Sequence, residues 1–137
     1  MKMSLRERKF GLIVNDSALL LLLILYYIGD FTRFTPAVVT LMALSLLLTA
    51  VTFSWVHVKT GLWKLTHAQN DTLDEREIMV SRSAIQSAYS IFTVVSLCCL
   101  LLEAVFGGIV NVVLVAALIY YAHTLPSTII AWREKEI

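Results

Sequence analysis

The sequence predicts an all-α integral membrane protein: a four-helix bundle built as two antiparallel helical hairpins, N-in/C-in, with both termini cytoplasmic. Three observations predict it. The first is composition: 58% of the 137 residues are hydrophobic, where a soluble domain holds about 45–50%, and the mean hydropathy is +0.79. The second is pattern: four apolar runs, 12–28, 37–58, 84–103 and 109–125, each come close to the roughly 20 residues that cross the hydrocarbon core of a bilayer. The third is charge: of 11 Lys and Arg residues, all but Arg33 fall on one side of that pattern. Cytoplasmic loops retain Lys and Arg, so that side faces the cytoplasm, and the expected location is the plasma (inner) membrane. A net charge of +1 supplies no strong field for nucleic acid. The one partner these observations name is the lipid bilayer.

A basic stretch, Met1 to Phe10, leads into the first run. The run ends in Tyr26-Tyr27-Ile28-Gly29-Asp30 with no small-residue cleavage site, so it reads as a retained first helix rather than a signal peptide. Pro36 opens the second run, at a position where a missing N–H costs nothing. The connections 29–35 and 104–108 are short, the second carrying Gly107-Gly108. The connection 59–81 is the only long one and is expected to be the cytoplasmic loop. Trp55, Trp63 and Trp132 fall at cytoplasmic ends and Tyr26 and Tyr27 at the opposite face, the two aromatic belts of a spanning protein.

Two helix starts are expected to carry capping boxes, Ser4-Leu5-Arg6-Glu7 and Thr72-Leu73-Asp74-Glu75, in which hydroxyl and carboxylate each satisfy a free backbone N–H. If the third helix begins near residue 73 it is roughly 46 Å long at 1.5 Å per residue. The hydrocarbon takes about 30 Å, so the start of that helix projects into the cytoplasm. The two boxes lie 68 residues apart, each ahead of an apolar hairpin; shared capping chemistry accounts for the likeness. The Asp74-Glu75-Arg76-Glu77 segment, followed by Ile78, Arg82 and Ala84, resembles uncharacterised small prokaryotic integral membrane proteins with an Asp-Glu-Arg segment before a transmembrane helix. The resemblance covers about 20 residues and implies a multi-pass protein without implying an activity.

Polar groups in hydrocarbon need partners. The third run carries Arg82, Gln86, Tyr89 and Thr93 at helical spacing, the fourth Tyr120, His123, Thr124, Ser127 and Thr128, the second Ser45, Thr49 and Thr52, and the first Asn15 and Asp16. One reading is packing, since Ser and Thr let helices approach and hydrogen-bond across. The other is a ligand or proton pocket open to the cytoplasm, lined by Asp16, Gln86, Tyr89, Tyr120 and His123, with His123 titrating near neutral pH. Pro126 either ends the fourth helix or kinks it beside His123. His57 and His123, on separate helices, could ligate a haem iron, though little glycine lies along those helices to make room. His67 has no His or Cys neighbour at metal-ligand spacing. Cys98 and Cys99 point to different sides of a helix and read as packing residues. No metal set, cofactor motif or catalytic motif is recognised.

The functional expectation is a non-enzymatic accessory or interaction protein, with a cytoplasmic or membrane partner docking at Asp74, Glu75 and Arg76. The alternative is a small oligomeric transporter or channel component using the polar pocket, and a third reading is a haem-binding membrane anchor.

Overall fold

The computed structural model describes residues 3–68 and 73–134. Every regular element in them is helical: α1 (Leu5–Thr32), α2 (Pro36–Phe53) running into a π turn (Ser54–Val58), α3 (Leu62–His67), α4 (Glu75–Phe106) and α5 (Val112–Arg133). Four helices are long and apolar enough to cross a membrane: α1, α2 with its π turn, α4 and α5. The chain is thus built as a multi-pass membrane protein. Contacts divide it into two compact units, Met1–Thr60 and Gly61–Ile137, described in turn.

In the first unit, Ser4 caps α1. Its hydroxyl accepts from the Glu7 N–H (3.2 Å) and the Glu7 carboxylate accepts from the Ser4 N–H (2.9 Å), the reciprocal box expected from the sequence. Arg33, in the left-handed region (φ 63°), closes α1. Thr35 then caps α2, with Pro36 at its first position.

The α1–α2 contact has a regular period. Gly11, Asn15, Ala18, Leu25 and Gly29 are buried, and with Leu22 they fall on an alternating four-and-three spacing. The buried Ser45, Thr49, Thr52 and Val56 continue the same spacing on the other side. A repeat of 3.5 residues is that of a left-handed coiled seam. Small residues on it let the backbones approach: a Cβ on Gly11 would collide with Val56 Cγ2, and one on Gly29 would lie 2.6 Å from the Phe34 ring. At the foot of α2 the Lys59 N–H reaches back five residues to the Ser54 carbonyl (3.1 Å). The wider turn leaves two successive residues, Val56 and His57, fully buried.

In the second unit, α4 starts two residues later than the sequence suggested. The N-cap is Asp74, whose carboxylate accepts from the Glu75 N–H (2.7 Å), while Glu77 accepts from the Asp74 N–H (3.1 Å). A carboxylate cap three residues before Glu77 competes with the expected Thr72–Glu75 pairing and makes Glu75 the first helical residue; Thr72 lies outside the described residues. The connection expected to be loop over 59–81 contains α3, whose Leu62 is fully buried.

Ser81, Ala84 and Ala88 bury one line of α4. On α5, burial gathers at Thr124, Leu125, Ser127 and Ile129 to Ala131. From Tyr89 to Phe106 no α4 residue is buried, which leaves side chains such as Val94, Leu101, Val105 and Phe106 more than 60% exposed, a surface suited to lipid. Helix α5 passes through Pro126 and ends at Arg133, so Pro126 interrupts the hydrogen-bond ladder without stopping the helix. The turn between α4 and α5 has Gly107 and Gly108 at positive φ, which glycine adopts without Cβ strain. Glu103 organises it, its carboxylate accepting from the N–H groups of Gly108 (3.1 Å), Ile109 (2.6 Å) and Val110 (2.7 Å).

Candidate functional site

Most polar groups of the spans are satisfied by neighbours in their own unit. Asn15, fully buried, donates its amide to the Thr49 carbonyl (3.0 Å) and the Thr52 hydroxyl (2.9 Å). Ser45, Thr49 and Thr52 donate to the carbonyls of Leu41, Ser45 and Leu48. In the second unit Thr124 donates to Tyr120 (3.1 Å) and Ser127 to Thr124 (2.7 Å). These hydroxyls bond back to carbonyls three or four residues earlier in their own helices.

The residues singled out as a pocket are placed differently from one another. Asp16 is exposed on α1. Gln86 and Tyr89 are exposed on α4, and Gln86 falls two positions from both Ala84 and Ala88, hence on the opposite side of the helix from that buried line. Tyr120 is half-buried and His123 exposed, one turn apart on α5. His57 is buried in the π turn with its ring 5.3 Å from that of Phe53.

The site that sequence spacing did not reveal is at α3. The His67 ring stacks on Trp63, centroids 3.8 Å apart and planes 14° from parallel. Its Nδ1 lies 3.1 Å from the Trp63 carbonyl and 2.8 Å from the Thr66 hydroxyl. That hydroxyl itself lies 3.2 Å from the Trp63 carbonyl as a donor. The Trp63 carbonyl can only accept, so this contact favours the tautomer with the proton on Nδ1 and the lone pair on Nε2. The ring of His123, from α5, is 6.0 Å away. Both imidazoles are exposed. The two histidines are 56 positions apart in the chain, so no local motif could have joined them. Among the described residues no group of three or more His, Cys, Asp or Glu side chains could hold a metal ion.

The residues expected to dock a partner sit at the start of α4. Asp74, Glu75, Arg76 and Glu77 are all exposed. Asp74 and Glu77 are engaged in the cap, and Arg76 pairs with Glu134 after the end of α5 (3.2 Å). Arg133 reaches the Ser87 hydroxyl (3.4 Å). Beside these contacts α4 and α5 enclose a crevice of about 210 Å³ floored by Ala84 and Ile130 and rimmed by Met79, Ser83, Arg133 and Glu134. No known protein family, curated protein or solved structure matches the chain.

Proposed function

We propose that this is a non-enzymatic accessory protein of the plasma membrane, N-in/C-in, built as two antiparallel helical hairpins in a four-helix bundle, which docks a cytoplasmic or membrane protein partner through the start of α4. The carrying observation is the length and polarity of that helix. Its 32 residues make roughly 48 Å at 1.5 Å per residue, against about 30 Å of hydrocarbon. The surplus is the charged end. Asp74, Glu75, Arg76 and Glu77 stand exposed there, and Met79, 69% exposed, gives that surface an apolar anchor. The Arg76–Glu134 pair holds the end of α5 against it. Internal satisfaction of Asn15, Ser45, Thr49 and Thr52 supports packing over a transport path.

The test is crosslinking in native membranes with wild type and the Glu75→Ala/Arg76→Ala/Met79→Ala variant, which leaves the Asp74–Glu77 cap in place. A partner crosslinked by wild type should fall at least fivefold in the variant at equal insertion. Identical crosslinked sets would refute the docking surface.

One observation favours a small oligomeric transporter or channel component instead. Asp16, Gln86 and Tyr89 are polar groups exposed on spanning helices, and in a bilayer such groups face water, another protein or another copy of the chain. Ion flux through reconstituted vesicles that collapses in Asp16→Asn would support that route, and the absence of any flux by wild type would dispose of it.

A further inference from the structure

We propose that His67 and His123 form a binding site for a divalent transition-metal ion of the Zn²⁺, Cu²⁺ and Ni²⁺ class, joining α3 to α5. Three observations carry it. The first is separation: a metal about 2.0–2.1 Å from each imidazole nitrogen holds the two ring centroids roughly 5–6 Å apart, and they stand 6.0 Å apart here. The second is orientation. The Trp63 carbonyl and the Thr66 hydroxyl hold Nδ1 of His67, the arrangement by which a ligating histidine is fixed in one tautomer through its second nitrogen. The Trp63 indole, stacked on the same ring, fixes its plane. The third is position, since both rings lie at the surface of the fold and no packed core has to open to admit an ion.

Imidazole ligands select this class of metal over Mg²⁺ and Ca²⁺, which require oxygen. Two protein ligands leave the remaining coordination positions to water, so the site is open and exchangeable, unlike a closed structural zinc site. Its consequence for the fold is local: an occupied site ties the short helix after the π turn to the middle of α5. It goes beyond the docking reading above and does not depend on it.

The test is titration of the tag-free full chain in detergent micelles with Cu²⁺, followed by tryptophan fluorescence and by electron paramagnetic resonance. Wild type should bind one Cu²⁺ per chain with nitrogen coupling in the spectrum. It should also show quenching that disappears in Trp63→Phe, because the ion sits beside that indole. His67→Ala and His123→Ala should each weaken binding at least tenfold, and the double variant should bind no more weakly than either single one, because a chelate is lost with its first ligand. Glutamine at either position keeps a polar side chain of similar size and should give the same loss, which separates ligation from a folding defect. Wild-type affinity in both single variants, or quenching that survives Trp63→Phe, would overturn the site.

Discussion

Gly11→Leu is expected to destabilise the α1–α2 pair by about 3 kcal/mol, the upper end of what overpacking a tight interface costs. Gly11 is buried where α1 crosses the π turn, and even one added carbon would collide with Val56 Cγ2. Val56 is fully buried, and its branched side chain has few rotamers into which to retreat. The Trp55 ring lies 3.6 Å from the same point, so a longer side chain meets a second wall. Gly11→Ala should be milder: alanine regains about 1 kcal/mol of helix propensity, which offsets part of the overpacking cost of about 1–3 kcal/mol. Leucine at the exposed Ala43 of α2 is the control, expected to change stability by less than about 0.5 kcal/mol. Unfolding of the full chain in micelles, read through Trp55 fluorescence in a Trp63→Phe/Trp132→Phe background, measures all three. A Gly11→Leu protein as stable as the Ala43→Leu control would mean that α1 and the π turn do not approach as closely as described.

What the sequence disclosed about this unit, and what it concealed, have a common cause. Length and apolarity announce a spanning helix, because any 20 apolar residues satisfy the bilayer. Which side of that helix meets a protein neighbour is nearly invisible, because lipid-facing and protein-facing positions are both apolar. The first run reads as Asn15-Asp16 followed by leucines, and its seam is carried by the exceptions: Gly11, Asn15, Ala18 and Gly29. Their three-and-four spacing was there to be found, and so was that of Ser45, Thr49 and Thr52. The π turn was hidden for a different reason. It depends on a backbone hydrogen bond from Lys59 to Ser54, and no residue type marks it.

In the second unit the end of a helix was easier to read than its beginning. Gly107-Gly108 announced the turn, while nothing in the sequence marks Glu103 as the acceptor for three backbone N–H groups. The start of α4 holds two overlapping capping boxes in sequence, and the one with a carboxylate cap formed, an anion at the positive end of the helix dipole being favoured. Pro126 allowed either a stop or a passage. Helix α5 passes because Ser127 and Ile129 to Ala131, which follow it, are buried, and tertiary packing outweighs one missing hydrogen bond. The His67–His123 juxtaposition was illegible altogether. It depends on a six-residue helix too short to show periodicity and on a tertiary contact that no spacing encodes.

Asn15 offers the sharpest measure of what holds the first unit together. It is the one amide on the α1 seam, fully buried, donating both to a backbone carbonyl and to the Thr52 hydroxyl of α2. Asn15→Ala should cost about 1–2 kcal/mol, because interhelical hydrogen bonds inside membranes are individually worth about 0.6–1.7 kcal/mol and truncation also leaves a small void. Thr52→Val should cost less, since the Thr52 hydroxyl also donates to the Leu48 carbonyl and that carbonyl keeps its helical partner. A double-mutant cycle between the two separates their shared hydrogen bond from their packing, with an expected coupling of about 0.6–1.7 kcal/mol. The same cycle run on Asn15 and Ser45 should give nothing, because Ser45 lies one helical turn beyond Thr49 and bonds within its own helix. Additive losses at Asn15 and Thr52 would show that the seam is held by close backbone approach at its glycines and alanine, with the polar contact only tolerated there.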